Sequence, residues 1–163
     1  MRRNLFFLVV AIGLLWAWSL PGAALAEGAD VYGVGGGKVL GDFGTFSLSA
    51  HEGPNGDFGQ VVVKVPSYPL DVVTDVDCVN VFGIAGAGGA WIGSVVTKVN
   101  PDNPLGLVPG SRILWWVNDS GLPSSPTPVD YFNGFGVNND CKTQAPAFGA
   151  PDVTSGNIVI NPG

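Results

Sequence analysis

The chain has 163 residues, with 7 Lys+Arg against 13 Asp+Glu for a net charge of −6, and 46% of it is hydrophobic while only 12% is charged. That balance is too apolar for a disordered chain and too poor in cations to neutralise phosphates, so nucleic acid is excluded as a partner. One His and two Cys cannot build a zinc finger or a three-His metal site.

In chain order, the first signal is an export signal. Arg2 and Arg3 precede an almost unbroken apolar run from Leu5 to Leu20, Pro21-Gly22 breaks it, and Ala24-Leu25-Ala26 offers small residues to a signal peptidase. Basic, apolar and small-residue regions in that order predict a secretory signal peptide over residues 1–26, cleaved after Ala26. The run is short for an uncut anchor, and no Cys stands at the cleavage site to take a lipid. No second apolar run of spanning length follows, so no membrane span is expected after cleavage, and the expected location is secreted or extracytoplasmic.

Residues 27–39 read as a flexible Gly-rich lead-in, because Gly33 to Gly37 has almost no side chain to pack and no helix pattern follows to make it an anion cradle. Residues 40–163 read as one β-domain. Strand-like runs rich in Val, Ile, Phe and Trp cover 43–50, 58–65, 70–82, 91–99, 112–117, 129–135 and 157–160, bounded by Gly, Pro, Asn and Asp. Gly53-Pro54-Asn55-Gly56-Asp57 reads as a hairpin connection. Two stretches, 100–110 and 121–128, carry too many prolines for a ladder and are expected as loops. No window sustains a helical apolar stripe. The predicted fold class is therefore all-β, a single antiparallel β-sandwich or barrel with one disulfide.

The disulfide follows from Cys78 and Cys141, an even pair in an exported chain. His51, the only histidine, sits beside Glu52 at a Gly-Pro turn, and no Gly-x-Ser-x-Gly elbow accompanies it, so a solvated turn residue is expected rather than a general base. Asp71, Asp75 and Asp77 share one face of a predicted strand, with Val72, Thr74, Val76 and Cys78 on the other. The plain reading is a solvent face that keeps the sheet from aggregating; the sharper one is a weak Ca²⁺ site. No other cofactor is suggested. Trp115 and Trp116 must point to opposite faces, with Ile113, Trp115 and Val117 assigned to the core. Trp116, Asn118 and Asp119 then form a candidate ligand surface, unless the Pro-rich loop after Gly121 covers it.

Several short motifs carry a resemblance. Val76-Asp77-Cys78-Val79-Asn80-Val81-Phe82-Gly83, Ala90-Trp91-Ile92-Gly93-Ser94-Val95-Val96, the turn from Val117 to Pro123 and Val129-Asp130-Tyr131-Phe132 occur in order, followed by Cys141 and Ser155-Gly156-Asn157-Ile158-Val159-Ile160. This set resembles small exported bacterial proteins, some carrying post-COAP-1-type domains and most of unknown function. The chain departs from that pattern in extra residues at Gly86 to Gly89 and in lacking a His after the last strand. The resemblance implies an exported β-domain with one disulfide and no known activity. The expected function is accordingly a non-enzymatic exported domain, structural or ligand-binding, at the cell envelope or outside the cell, with a glycan or envelope component as partner. The alternative is a secreted hydrolase that uses acidic residues, for example on a glycan.

Overall fold

A computed structural model describes residues 31–84, 87–121, 130–135, 140–147 and 152–163. The predicted signal peptide and the Pro-rich stretch 122–129 lie outside the described residues. Eight strands form one antiparallel sheet: β1 Tyr32–Val39, β2 Gly44–His51, β3 Phe58–Val65, β4 Leu70–Ile84, β5 Ala87–Val99, β6 Arg112–Asp119, β7 Tyr131–Phe135 and β8 Val153–Asn161. Their order, β7-β6-β5-β4-β3-β2-β1-β8, is an up-and-down meander whose last strand returns to pair with the first. The sheet curls into a nearly closed barrel with its seam between β7 and β8. The only helical element among the described residues is a single 3₁₀ turn, Cys141–Thr143. No helix there is long and apolar enough to cross a membrane.

Strand alternation fills the interior. Phe46, Leu48 and Ala50 of β2 point inward while Thr45 and Ser47 face solvent, and Val61, Val63 and Val65 of β3 repeat the pattern. Ile113, Trp115 and Val117 of β6 join the same core, as their shared parity predicts, together with Ile92, Val96, Ile158 and Ile160.

Two features differ from the sequence expectation. The Gly-rich segment 33–37 is no lead-in; it is the middle of β1, paired with β2 on one side and β8 on the other. Glycine serves here because β8 approaches so closely: a Cβ on Gly35 would stand 2.6 Å from the Asn157 carbonyl oxygen, and one on Gly37 would collide with that of Ser155. The second difference is a register shift in β4 between Val76 and Cys78. Val72, Thr74 and Val76 point inward before it and Val79 after it, so Asp77 is an inserted bulge residue. The bulge turns Cys78 out of the core face it shares with Val76 by simple alternation and places it on the outer wall.

That outer wall carries a second cluster. Trp91, Leu114 and Trp116 project outward and are buried beneath residues 141–147. The covering segment is fastened by the Cys78–Cys141 disulfide, by Asn80 Nδ2 donating to the Cys141 carbonyl at 3.0 Å and by Trp91 Nε1 donating to the Ala145 carbonyl at 2.8 Å. Lys142 adds ion pairs to Glu52 at 2.9 Å and Asp57 at 3.3 Å. Burial lowers the Lys142 pKa, but the two carboxylates outweigh it and hold the ammonium above its ordinary value.

The seam is closed by side chains beside one backbone bond, from Val153 N to the Asp130 carbonyl at 2.8 Å. Asp119, at the end of β6, accepts the amide of Ile160 at 3.1 Å, and Asp130, just before β7, accepts that of Ile158 at 2.7 Å. Their remaining oxygens accept Gly121 N at 2.9 Å and Ser120 N at 3.2 Å. Two carboxylates thus take the place that carbonyls of a neighbouring strand would hold, and both are buried.

Candidate functional site

The end of the barrel that carries the β1–β2, β3–β4 and β5–β6 connections opens into an apolar cavity of about 370 Å³. Its wall comes from five strands and two connections, so no short motif encodes it. Trp115 and Phe132 form the floor together with Phe46 behind them. Phe46 and Phe132 stack with centroids 4.2 Å apart, and Trp115 stacks on Phe132 at 5.4 Å. The indole N–H of Trp115 is spent inward on Ser94 Oγ at 2.8 Å, which leaves an apolar ring edge toward the cavity. Gly134, opposite Trp115 across β6 and β7, makes room for that ring: a Cβ there would lie 2.5 Å from Trp115 Cζ3.

The rim is apolar and open. Leu40 and Phe43 of the β1–β2 connection and Leu105 of the β5–β6 connection are 46–58% exposed beside the cavity. Leu40 has φ +49°, a left-handed conformation uncommon for a leucine, followed by Gly41 at +71°. The β5–β6 connection is ordered by one side chain. Buried Asn103 donates Nδ2 to the carbonyls of Asn100 at 2.8 Å and Leu107 at 2.9 Å, and its Oδ1 accepts Leu107 N at 2.8 Å. This knot seats Leu107 against the core and leaves Leu105 at the mouth. Asn103 sits in a stretch read from the sequence only as loop, and its Asn-Pro setting was the sole hint of a fixed turn.

The residues singled out in the sequence lie elsewhere. Asp71, Asp75 and Asp77 are exposed on the outer wall. Asp71 faces Lys64 at 3.7 Å, and Asp77 makes a bidentate pair with Arg112 at 2.6 and 2.8 Å. They form no group within reach of a single ion. Among the described residues such a group exists only at Cys78, Asp140 and Cys141, where the two sulfurs are bonded to each other. The surface expected at Trp116 is taken by residues 141–147, which leave the indole 3% exposed; Asp119 is a seam residue and Asn118 is half-buried. His51 shares a 3.1 Å hydrogen bond with Ser49 Oγ and stacks on Phe58 at 5.1 Å, with no carboxylate bonded to it among the described residues. That pair lacks the orienting acid of a triad. No family model matches the chain, and no curated protein or solved structure matches it.

Proposed function

We propose that this is an exported, non-enzymatic β-domain that binds a small apolar molecule in the mouth of its barrel. The observation that carries the proposal is the cavity itself: about 370 Å³, floored by stacked aromatics and rimmed by Leu40, Phe43 and Leu105. Binding sites of small molecules are concave, mostly apolar and of this size, and an eight-stranded barrel is wide enough to hold one such ligand where side chains leave room. Export is supported by the order of basic, apolar and small residues before Ala26 and by a disulfide, a bond that persists in oxidising compartments. The hydrolase alternative would need free carboxylates in a cleft. The two buried ones among the described residues, Asp119 and Asp130, have all four oxygens engaged by backbone amides.

The test is a fluorescence titration with N-phenylnaphthylamine, a neutral dye that brightens in apolar surroundings. Saturable one-to-one binding is expected, and Leu70→Trp, which narrows the mouth at a half-buried position, should abolish it without unfolding the protein. A dye that does not bind, or that binds the narrowed variant equally well, would refute the proposal.

A further inference from the structure

We infer that the mouth selects neutral ligands and rejects carboxylates of the same size and shape, an inference that rests on the ligand-binding reading of the cavity. Among the described residues every one in the wall is uncharged, and Asn133 alone has a polar side chain. An anion moved from water into such a wall loses its hydration without gaining a counter-charge, whereas an alcohol or an ester loses far less.

The cations nearest that end offer no substitute. Lys38 is held by Asp42 at 2.6 Å, Lys64 faces Asp71 at 3.7 Å, and Arg112 is held bidentate by Asp77. All three project from the outer face, and Lys98, exposed on β5, is not part of the cavity wall. An acidic chain of net charge −6 repels an incoming anion further. The aromatic floor adds a shape preference, since Trp115 and Phe132 present ring surfaces to whatever enters. The ligand class is therefore small, neutral hydrophobes such as alcohols, esters and ring compounds, and not fatty-acid anions.

Displacement of bound N-phenylnaphthylamine by decanol and by decanoate tests this, because the two differ only at the head group. At a pH well above the carboxylate's own pKa, decanol should displace the dye at a concentration at least tenfold lower, a difference of about 1.4 kcal/mol. Leu105→Lys places a cation at an exposed rim position and should raise the affinity for decanoate severalfold with decanol unchanged or weakened. Equal displacement by the two compounds, or better displacement by decanoate, overturns the inference while leaving the cavity a binding site. A tenfold preference that Leu105→Lys does not alter would place the discrimination away from the mouth and also overturn it. Failure of the dye to bind at all removes the ligand-binding reading, and the selectivity with it.

Discussion

Replacing Asp130 tests whether carboxylates, rather than a strand-to-strand ladder, hold the barrel shut. Asp130 accepts Ile158 N at 2.7 Å and Ser120 N at 3.2 Å, and Ile158 is 1% exposed. In Asp130→Ala the Ser120 amide is near solvent and rehydrates, but that of Ile158 is stranded, at a cost of roughly 1–3 kcal/mol. The lost charge-assisted bond adds to that, and relief of a buried carboxylate offsets part of it, so a net loss of about 2–3 kcal/mol is expected. For a domain of this size that lowers Tm by about 5–10 °C. Asp130→Asn keeps one acceptor and should cost about half as much.

The pH dependence is a second readout of the same residue. Burial raises the Asp130 pKa above its ordinary 3.8, the bonds from Ile158 and Ser120 pull it down, and the charge of Asp119 raises it again. Between 3.8 and the raised value the folded state binds more protons at Asp130 than the unfolded state does. The part of its contribution that is linked to the proton is therefore absent above the folded pKa, appears as pH falls through it, and is complete below 3.8. Urea denaturation across that window should show wild type gaining on Asp130→Asn as the solution becomes more acidic. A wild-type advantage that shrinks on acidification, or an Asp130→Ala variant within about 0.5 kcal/mol of wild type, would refute the seam as described.

Three further outcomes are expected. Trp115→Ala and Trp116→Ala should each cost about 3–5 kcal/mol in urea denaturation, because one lies in the barrel core and the other beneath residues 141–147. A mild effect of Trp116→Ala would mean that the outer cluster is not packed. Removing the disulfide with Cys78→Ser/Cys141→Ser opens a closure of 63 residues and should cost about 4 kcal/mol, with Trp91 and Trp116 emission shifting to the red as their cover loosens. Unchanged emission would show that the cover is held by its hydrogen bonds alone. Gly37→Ala should cost about 1–3 kcal/mol and reduce hydrogen-exchange protection in β8, since its methyl meets the Ser155 carbonyl; a flexible lead-in would tolerate it freely.

How much of this was legible in the sequence depends on the range of the interaction. The strand Phe58–Val65 has the predicted bounds because its alternation of Val with Gln and Lys is local. The opposite directions of Trp115 and Trp116 are equally local and are found as expected. β1 was hidden because its evidence lies on β8, more than a hundred residues away: glycine reads as loop until the neighbouring backbone is known to press on it. The bulge at Asp77 was hidden for a related reason. A one-residue insertion leaves hydrophobicity nearly unchanged but reverses every face after it, and so it moves Cys78 from core to outer wall. Asp119 read as a turn residue or ligand contact and Asp130 as part of the strand run 129–135, since nothing near them in sequence shows that β8 lacks a paired strand on that side. The mouth cavity was invisible altogether, being built from Val39 to Gly134 by residues that share no spacing.

The central claim is that the mouth of the barrel is the binding site, and amide chemical-shift mapping during a titration with N-phenylnaphthylamine tests it most directly. Saturable shifts are expected at Leu40 and Phe43, at Leu70 and Val72, at Leu105 and Leu107, and at Phe132 and Gly134, all around the cavity. The amides of Cys141 to Ala147 on the outer wall and of His51 at the opposite end should stay in place. Shifts centred on the outer wall or on His51, or no saturable shifts at the mouth, would contradict it.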